Sequence, residues 1–223
     1  MSDPYIMQLE NLSVELAGRT VIKTLNTTIP SGKLTMLMGH NGAGKSVFLQ
    51  AIHGLLPLAS GTITGPDISA TKMVFQRPIM LRRSTAEMFD FITSGYPSID
   101  RQYWLARADL MHQLHLPAKL LSAGQAQKLF LIAMLATRPR LLLLDEPTAH
   151  LDYESTAFIE DILTEASAQG LSIIMSSHNR TQVKRLADHV LFFDKGHLVD
   201  DQAAPAFFRT PASSAAQRWL DFA

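Results

Sequence analysis

The feature that most constrains the fold is a glycine-rich loop between a short apolar run and an apolar helical pattern. The apolar run is LTMLM (residues 34–38), and GHNGAGKS (residues 39–46) follows it directly. In the next segment, KSVFLQAIHGLL, apolar residues such as Val47, Phe48 and Ile52 recur at helical spacing. The loop fits the phosphate-binding pattern G-x-x-x-x-G-K-[ST], which requires a strand before it and a helix after it. We therefore expect an α/β unit built around this loop.

Further short apolar runs predict the rest of the sheet. They occur in KMVFQ, RLLLLDE and LSIIMSS, with helical patterns between them. This alternation is typical of a mainly parallel sheet covered on both faces. The first thirty residues predict a β-hairpin that turns at Ala17-Gly18-Arg19, and HVLFFDKGHLVD predicts a second hairpin that turns at Asp194-Lys195-Gly196.

Residues about 83–137 have a different pattern and predict a small helical subdomain. STAEMFDFI opens with Ser84 and Glu87 at capping-box spacing, and the helical stretch DRQYWLARADLMHQLHL follows. PASSAAQRW, near the C-terminus, is the only loosely composed stretch. We expect an α/β fold in which residues 1–223 form one domain, with a mainly parallel central sheet, an N-terminal antiparallel β subdomain and this helical insert.

Composition and charge argue against several classes of function. Twenty Lys and Arg balance twenty Asp and Glu, so no basic excess indicates nucleic-acid binding. The chain has no cysteine, which excludes disulfides, thiolate zinc sites and a cysteine nucleophile. MSDPYIMQLENLSVEL lacks a signal-peptide pattern, and no apolar run approaches the roughly 20 residues of a membrane-spanning helix. We expect a cytoplasmic protein that binds no nucleic acid, although it could bind a membrane protein.

The glycine loop contains the groups that hold a nucleoside triphosphate. Gly42 and Gly44 allow the backbone N–H groups to point inward, Lys45 can reach the β and γ phosphates, and Ser46 can ligate Mg²⁺. An ordinary glycine-rich turn is the alternative interpretation. The candidate binding residues of the loop are Gly39, His40, Asn41, Gly42, Ala43, Gly44, Lys45, Ser46 and Val47.

Polar residues follow three other apolar runs. Asp145 ends LLLLD, where α/β sheets place ligands, and is expected to support the Mg²⁺ shell. Glu146 is a candidate to polarise the water that attacks the γ-phosphate. Gln76 can orient water or complete the metal shell, and His178 can hydrogen-bond the γ-phosphate without transferring a proton. The alternatives are a solvated acid for Glu146 and a structural role for His178. The predicted catalytic residues are Lys45, Gln76, Glu146 and His178, and the predicted metal ligands are Ser46, Gln76 and Asp145.

LSAGQAQK contains no acidic residue, histidine or cysteine, yet it is suited to an anion. Ser122 and Gln125 have capping-box spacing before the apolar run KLFLIAML. A helix N-terminus approached through Ala123 and Gly124 also presents backbone N–H groups to a phosphate. Both interpretations can hold together.

The order of the glycine loop, Gln76, LSAGQ, LLLLDEPTAHLD and SSHN resembles the ATP-binding cassette (ABC) ATPases over nearly the whole chain. The resemblance implies that Ser122, Gly124 and Gln125 form a signature loop that binds the γ-phosphate of ATP held by an opposite subunit. Two copies would then sandwich two ATP molecules head to tail. The segment AHLD, which ends at Asp152, would run along their interface.

Two positions depart from the family pattern. Ala123 stands where a glycine is usual, and its methyl group is tolerated if the local φ is negative. Leu16 lies near the position of the usual adenine-stacking aromatic residue, so we predict weaker discrimination between ATP and GTP.

FQRPIMLRRS, HNRTQVKRLADHVLFFDKGHLVDD and FFRTP resemble the ATPases of tungstate importers and of the related phosphate and molybdate importers. The resemblance implies an ATPase with ATP and Mg²⁺ as cofactors, held at the inner face of the cell membrane by permease subunits. An extracytoplasmic substrate-binding protein would be an indirect partner. Two alternatives remain, an exporter subunit for haem or lipid and a soluble cassette protein of translation or DNA repair. The arginines of FQRPIMLRRS can also be read as a solvated face.

Overall fold

A computed structural model describes residues 4–96 and 98–222. The strands are β1 (Tyr5–Leu16), β2 (Arg19–Pro30), β3 (Leu34–Met38), β4 (Ser60–Thr64), β5 (Thr71–Val74), β6 (Leu141–Leu144), β7 (Ser172–Ser176), β8 (His189–Asp194) and β9 (His197–Ala203). The helices are α1 (Lys45–Ile52), α2 (Thr85–Ile92), α3 (Arg101–Arg107), α4 (Ala123–Ala136), α5 (Tyr153–Ala168), α6 (Arg180–Leu186), α7 (Ala204–Phe207) and α8 (Ser214–Phe222).

The central sheet has six strands in the order β5-β6-β7-β3-β8-β9. Strands β5 to β8 run parallel through β6, β7 and β3, and β9 pairs antiparallel with β8. All residues of β3 and β6 are buried, and alternate side chains enter opposite cores: Leu141 and Leu143 lie in one, Leu142 and Leu144 in the other. Burial on both faces explains why these strands are continuous apolar runs. The predicted parallel sheet is confirmed.

A second sheet, in the order β2-β1-β4, is antiparallel and includes the predicted N-terminal hairpin. Strand β4 was not expected from the sequence, because SGTIT contains a single large apolar residue. Its backbone pairs with β1, with Leu9 opposite Ile63. This segment is therefore a strand because it pairs with one about fifty residues earlier, and its own apolar pattern does not predict it.

The predicted insert contains α2, α3 and α4, and the helix expected over DRQYWLARADLMHQLHL is shorter than predicted. Helix α3 ends at Arg107, Asp109 takes a φ of 56°, and a short 3-10 turn follows at Met111–Gln113. The left-handed conformation of Asp109 cannot continue a helix.

PASSAAQRW is also more ordered than its composition indicates. It contributes most of α8, in which Ala216, Trp219 and Leu220 are buried in the core. Because these three positions recur at helical spacing, they form one apolar face of α8 that packs into the core. No helix among the described residues is long and apolar enough to cross a membrane.

Candidate functional site

The glycine loop joins β3 to α1 and is closely packed. Gly39 has a φ of 136°, and a Cβ atom there would lie 2.2 Å from the carbonyl oxygen of Phe193. Gly44 has a φ of 108°, and a Cβ there would lie 2.7 Å from Cδ1 of Ile22. At Gly39 a side chain is excluded both by the positive φ and by the backbone oxygen of Phe193. At Gly44 the positive φ is the main obstacle, because the Ile22 methyl group could move aside, and glycine is the residue suited to both positions.

Lys45 is buried at the start of α1, and its ammonium group lies inside the curve of the loop. Its Nζ donates hydrogen bonds to the carbonyl oxygens of Gly39 (2.8 Å) and His40 (3.2 Å). The pKa of Lys45 is lowered from its usual value because the side chain is buried. The nearby carboxylates of Glu146 and Asp145 offset part of this effect. Ala43 and Gly44 are buried, Val47 is half-buried, and His40, Asn41, Gly42 and Ser46 are exposed. A cation held inside a glycine loop that opens to solvent fits a polyphosphate group.

Asp145 and Glu146 lie at the end of β6, in the same region as Lys45. The carboxylate of Asp145 is buried, and its Oδ1 accepts a hydrogen bond from Ser176 Oγ at 2.7 Å. Glu146 has a φ of 44°, and its backbone N–H donates to the same Ser176 oxygen at 2.8 Å. The Asp145 carboxylate acts electrostatically on Lys45, so the two lie near each other. The oxygens of Asp145 and of the exposed Ser46 are of the kind that Mg²⁺ prefers as ligands.

Two of the predicted polar residues meet at the Glu146 carboxylate. Gln76 Nε2 donates to Oε2 at 3.2 Å, and His178 Nδ1 lies 3.5 Å from Oε1. Gln76 and His178 are exposed, whereas the Glu146 side chain is 18% exposed. The structure thus brings together an amide, an imidazole and a carboxylate from the ends of β5, β7 and β6. Such a group can position a water molecule next to a base.

The LSAGQ segment forms the start of α4 and has both halves of the predicted capping box. Ser122 N donates to Gln125 Oε1 at 3.0 Å, and Gln125 N donates to Ser122 Oγ at 3.2 Å. Ala123 is exposed, and its φ is not positive, so its methyl group causes no strain, as expected. Within the described residues, no hydrogen bond or ion pair joins this segment to the glycine loop.

Gly124 packs instead against the start of α5. A Cβ atom on Gly124 would lie 2.1 Å from Ser155 Oγ. Ser155 in turn donates from its backbone N–H and its hydroxyl group to the two oxygens of Asp152, at 2.7 and 3.1 Å. These hydrogen bonds lower the pKa of Asp152. A Cβ atom on Gly124 would also lie 3.2 Å from Asp152 Oδ2, so the glycine of LSAGQ lies against the end of AHLD.

Sequence reasoning missed two buried polar residues at this site. Ser176 contacts both acids, and Gln127 Nε2 donates to the carbonyl oxygen of Phe75, directly before Gln76, at 3.3 Å. Ser176 lies two residues before His178, and Asp145, its neighbour in the sheet, directly follows LLLL. The order of the strands would have been needed to find this contact.

A parallel sheet with this loop, a buried lysine and two consecutive acids defines a phosphate-binding-loop nucleotide hydrolase. Residues 22–149 match the family model of ABC transporters. The chain therefore belongs to the ABC transporter family, as an ATP-hydrolysing, ATP-binding subunit.

Known relatives resemble the chain over most of their length. The phosphate import ATP-binding protein PstB of Campylobacter jejuni is 32% identical over 241 residues, covering 96% of this chain and 98% of that protein. The tungstate uptake system ATP-binding protein TupC of Peptoclostridium acidaminophilum is 32% identical, covering 85% and 95%. The structure of cbiO1 from Clostridium perfringens, part of the ABC transporter complex cbiONQ, has a TM-score of 0.80 at 27% identity, covering 93% and 92%.

Proposed function

We propose that this chain powers the import of an oxyanion, tungstate, by hydrolysing ATP. The observation that carries hydrolysis is the Glu146 carboxylate, which contacts Gln76 and His178 beside the loop that contains Lys45. The similarity to a tungstate uptake protein and a phosphate import protein over most of their length supports the substrate class. Residues 1–223 would act as one ATP-binding domain.

The residues of the site divide into three roles. The loop residues 39–47 hold the phosphates through backbone N–H groups and the Lys45 ammonium. Ser46, Gln76 and Asp145 would hold Mg²⁺, which would neutralise charge on the bound phosphates. Glu146 accepts a hydrogen bond from the attacking water and so polarises it. His178 donates a hydrogen bond to the γ-phosphate.

Residues 122–125 would complete the site of a second copy. The capped start of α4 offers backbone N–H groups to an anion, and no bond joins it to the glycine loop of its own chain within the described residues. Two copies would bind two ATP molecules head to tail. Permease subunits would hold the dimer at the inner face of the cell membrane and receive tungstate from an extracytoplasmic binding protein.

Only part of the basic cluster in FQRPIMLRRS is available to bind a permease. Arg83 lies over the ring of Phe91, at 4.9 Å, and so serves a local cation–π contact. Arg77 and Arg82 are exposed, as is Ile79 at 79%. These three residues are available to a permease.

The test compares tungsten, molybdenum and phosphorus content in cells that express the native chain or Glu146→Gln as their only copy. Trace external oxyanion is supplied, and content is measured by mass spectrometry. We expect Glu146→Gln to lose tungsten alone. Glu154→Gln is the matched control, because Glu154 is an exposed acid on α5, and it should retain uptake.

Unchanged tungsten in Glu146→Gln would refute tungstate import. ATP hydrolysis by the purified native chain is then measured separately. Loss of phosphorus alone would reassign the substrate within the oxyanions, and no change in any of the three elements would redirect the search to other solutes or to export.

A further inference from the structure

We propose that Ser176 is a positioning residue that sets both acids of the site, orienting Asp145 towards Mg²⁺ and holding the backbone that presents Glu146 to water. The inference rests on the proposed roles of these two acids. Ser176 is the last residue of β7 and is fully buried.

The direction of both hydrogen bonds follows from the chemistry of the groups. An ionised carboxylate can only accept, so the Ser176 hydroxyl group donates to Asp145 Oδ1 at 2.7 Å. The backbone N–H of Glu146 can only donate, so it donates to Ser176 Oγ at 2.8 Å. A hydroxyl group is suited to this position because it donates and accepts at once.

The bond to Asp145 determines which carboxylate oxygen remains for a metal. Oδ1 is occupied by Ser176, whereas Oδ2 has no hydrogen-bond partner within the described part of the chain. A carboxylate ligand that is hydrogen-bonded through its other oxygen is held in orientation for the metal. Ser176 would therefore leave Oδ2 as the oxygen of Asp145 that is free to bind a metal.

The bond to Glu146 stabilises an uncommon backbone conformation. Glu146 has a φ of 44°, which costs free energy in a residue with a side chain. This conformation occurs where the chain leaves β6. A hydrogen bond from the Glu146 N–H to a fully buried oxygen offsets the cost and fixes where the side chain departs.

The sheet supplies the contact through the pairing of β6 and β7. Leu144 lies beside Met175 in the parallel register, which brings the following residues, Asp145 and Ser176, side by side. Ser172, at the opposite end of β7, provides a natural comparison. It is also buried, and its hydroxyl oxygen accepts from the backbone N–H of Gly32 at 2.8 Å, far along the strand from both acids.

The experiment uses the full chain and measures ATP hydrolysis as a function of Mg²⁺ concentration for Ser176→Ala and Ser172→Ala. Binding of a fluorescent ATP analogue in EDTA and thermal unfolding are measured in parallel. For Ser176→Ala we expect a 10- to 100-fold loss of kcat and a roughly tenfold higher Mg²⁺ concentration at half-maximal activity. Binding in EDTA should stay native. Ser172→Ala should keep the native Mg²⁺ dependence, and Ser176→Thr, which retains a hydroxyl group, should recover most of the activity.

A native Mg²⁺ midpoint or a native kcat in Ser176→Ala would overturn the inference, as would an equal kinetic change in Ser172→Ala. Asp145→Asn separates this outcome from failure of the proposed function. If Asp145→Asn shifts the Mg²⁺ midpoint and Ser176→Ala does not, the positioning role alone is wrong. If Asp145→Asn also leaves the midpoint unchanged, the metal role of Asp145 is wrong and the inference fails with it.

Discussion

At the scale of single residues, the candidate site depends on charges that are buried close to one another. The ammonium group of Lys45 is removed from water, which by itself is unfavourable. The carbonyl oxygens of Gly39 and His40 accept its hydrogen bonds, and Asp145 and Glu146 add attraction. A phosphate group bound in the loop would supply a further opposite charge, and this argues for a ligand-binding role beyond stability.

Replacing Lys45 by alanine should weaken ATP binding. The variant leaves phosphate charge without its cation, and we expect at least a tenfold loss of affinity, about 1.4 kcal/mol. Equilibrium binding of a fluorescent ATP analogue measures this. Lys33→Ala is the control, since Lys33 is exposed before β3 and pairs with Asp188 at 3.7 Å. Native affinity in Lys45→Ala would contradict the assigned role.

At the scale of secondary-structure elements, one side chain joins two loops of the site to two helices. Gln182 on α6 is 2% exposed and accepts from Ser177 Oγ at 2.7 Å. It donates to Thr148 Oγ1 at 2.9 Å and to Glu160 Oε1 at 3.0 Å. Glu160 on α5 also pairs with Arg185. The loops after β6 and β7, which contain Glu146 and His178, are therefore held against each other by this buried network.

Gln182→Leu should destabilise the fold. It has a similar volume, but it removes the partner of three polar groups, and each buried group left unsatisfied costs roughly 1–3 kcal/mol. We expect the free energy of unfolding to fall by at least about 2 kcal/mol, measured by urea denaturation. Gln169→Leu is the control, because Gln169 is exposed and its side chain bonds Glu165 alone among the described residues, at 3.2 Å. Equal stability of the two variants would show that the network contributes little.

At the scale of the whole molecule, the two phosphate-facing parts proposed for the site lie on different parts of the chain. The glycine loop lies between the two sheets, whereas residues 122–125 start a helix of the insert and contact α5 through Gly124 and Ser155. The described residues contain no hydrogen bond between these parts. In the proposed dimer, a second copy would bring the two parts to one nucleotide.

Glu146→Gln should form a stable homodimer at saturating ATP and Mg²⁺. Glutamine keeps the size and hydrogen-bonding capacity of the side chain but loses the carboxylate that polarises water, so bound ATP would persist. Light scattering coupled to gel filtration measures the mass. Gly124→Ala added to this variant should prevent the dimer, because its Cβ would lie 2.1 Å from Ser155 Oγ and displace the segment. Monomer alone in Glu146→Gln with saturating ATP would count against the proposed assembly.

Much of the fold and most of the candidate site could be predicted from the sequence, because their signals are local. The glycine loop, the capping box of Ser122 and Gln125, and the fully buried strand LLLL depend on residues that are close in the chain. The same holds for the two hairpins, whose turns contain Gly18 and Gly196, both at positive φ. Neighbours in sequence are enough to determine these features.

Only the tertiary structure decided the contacts between distant residues. Ser176 meets Asp145 across 31 positions, and Gly124 meets Ser155 because α4 packs on α5. Strand β4 exists through its pairing with β1, and α8 through burial of its few apolar residues. Hydrophobic burial and strand pairing act between segments irrespective of their separation in the chain, so a pattern read along the sequence does not contain them.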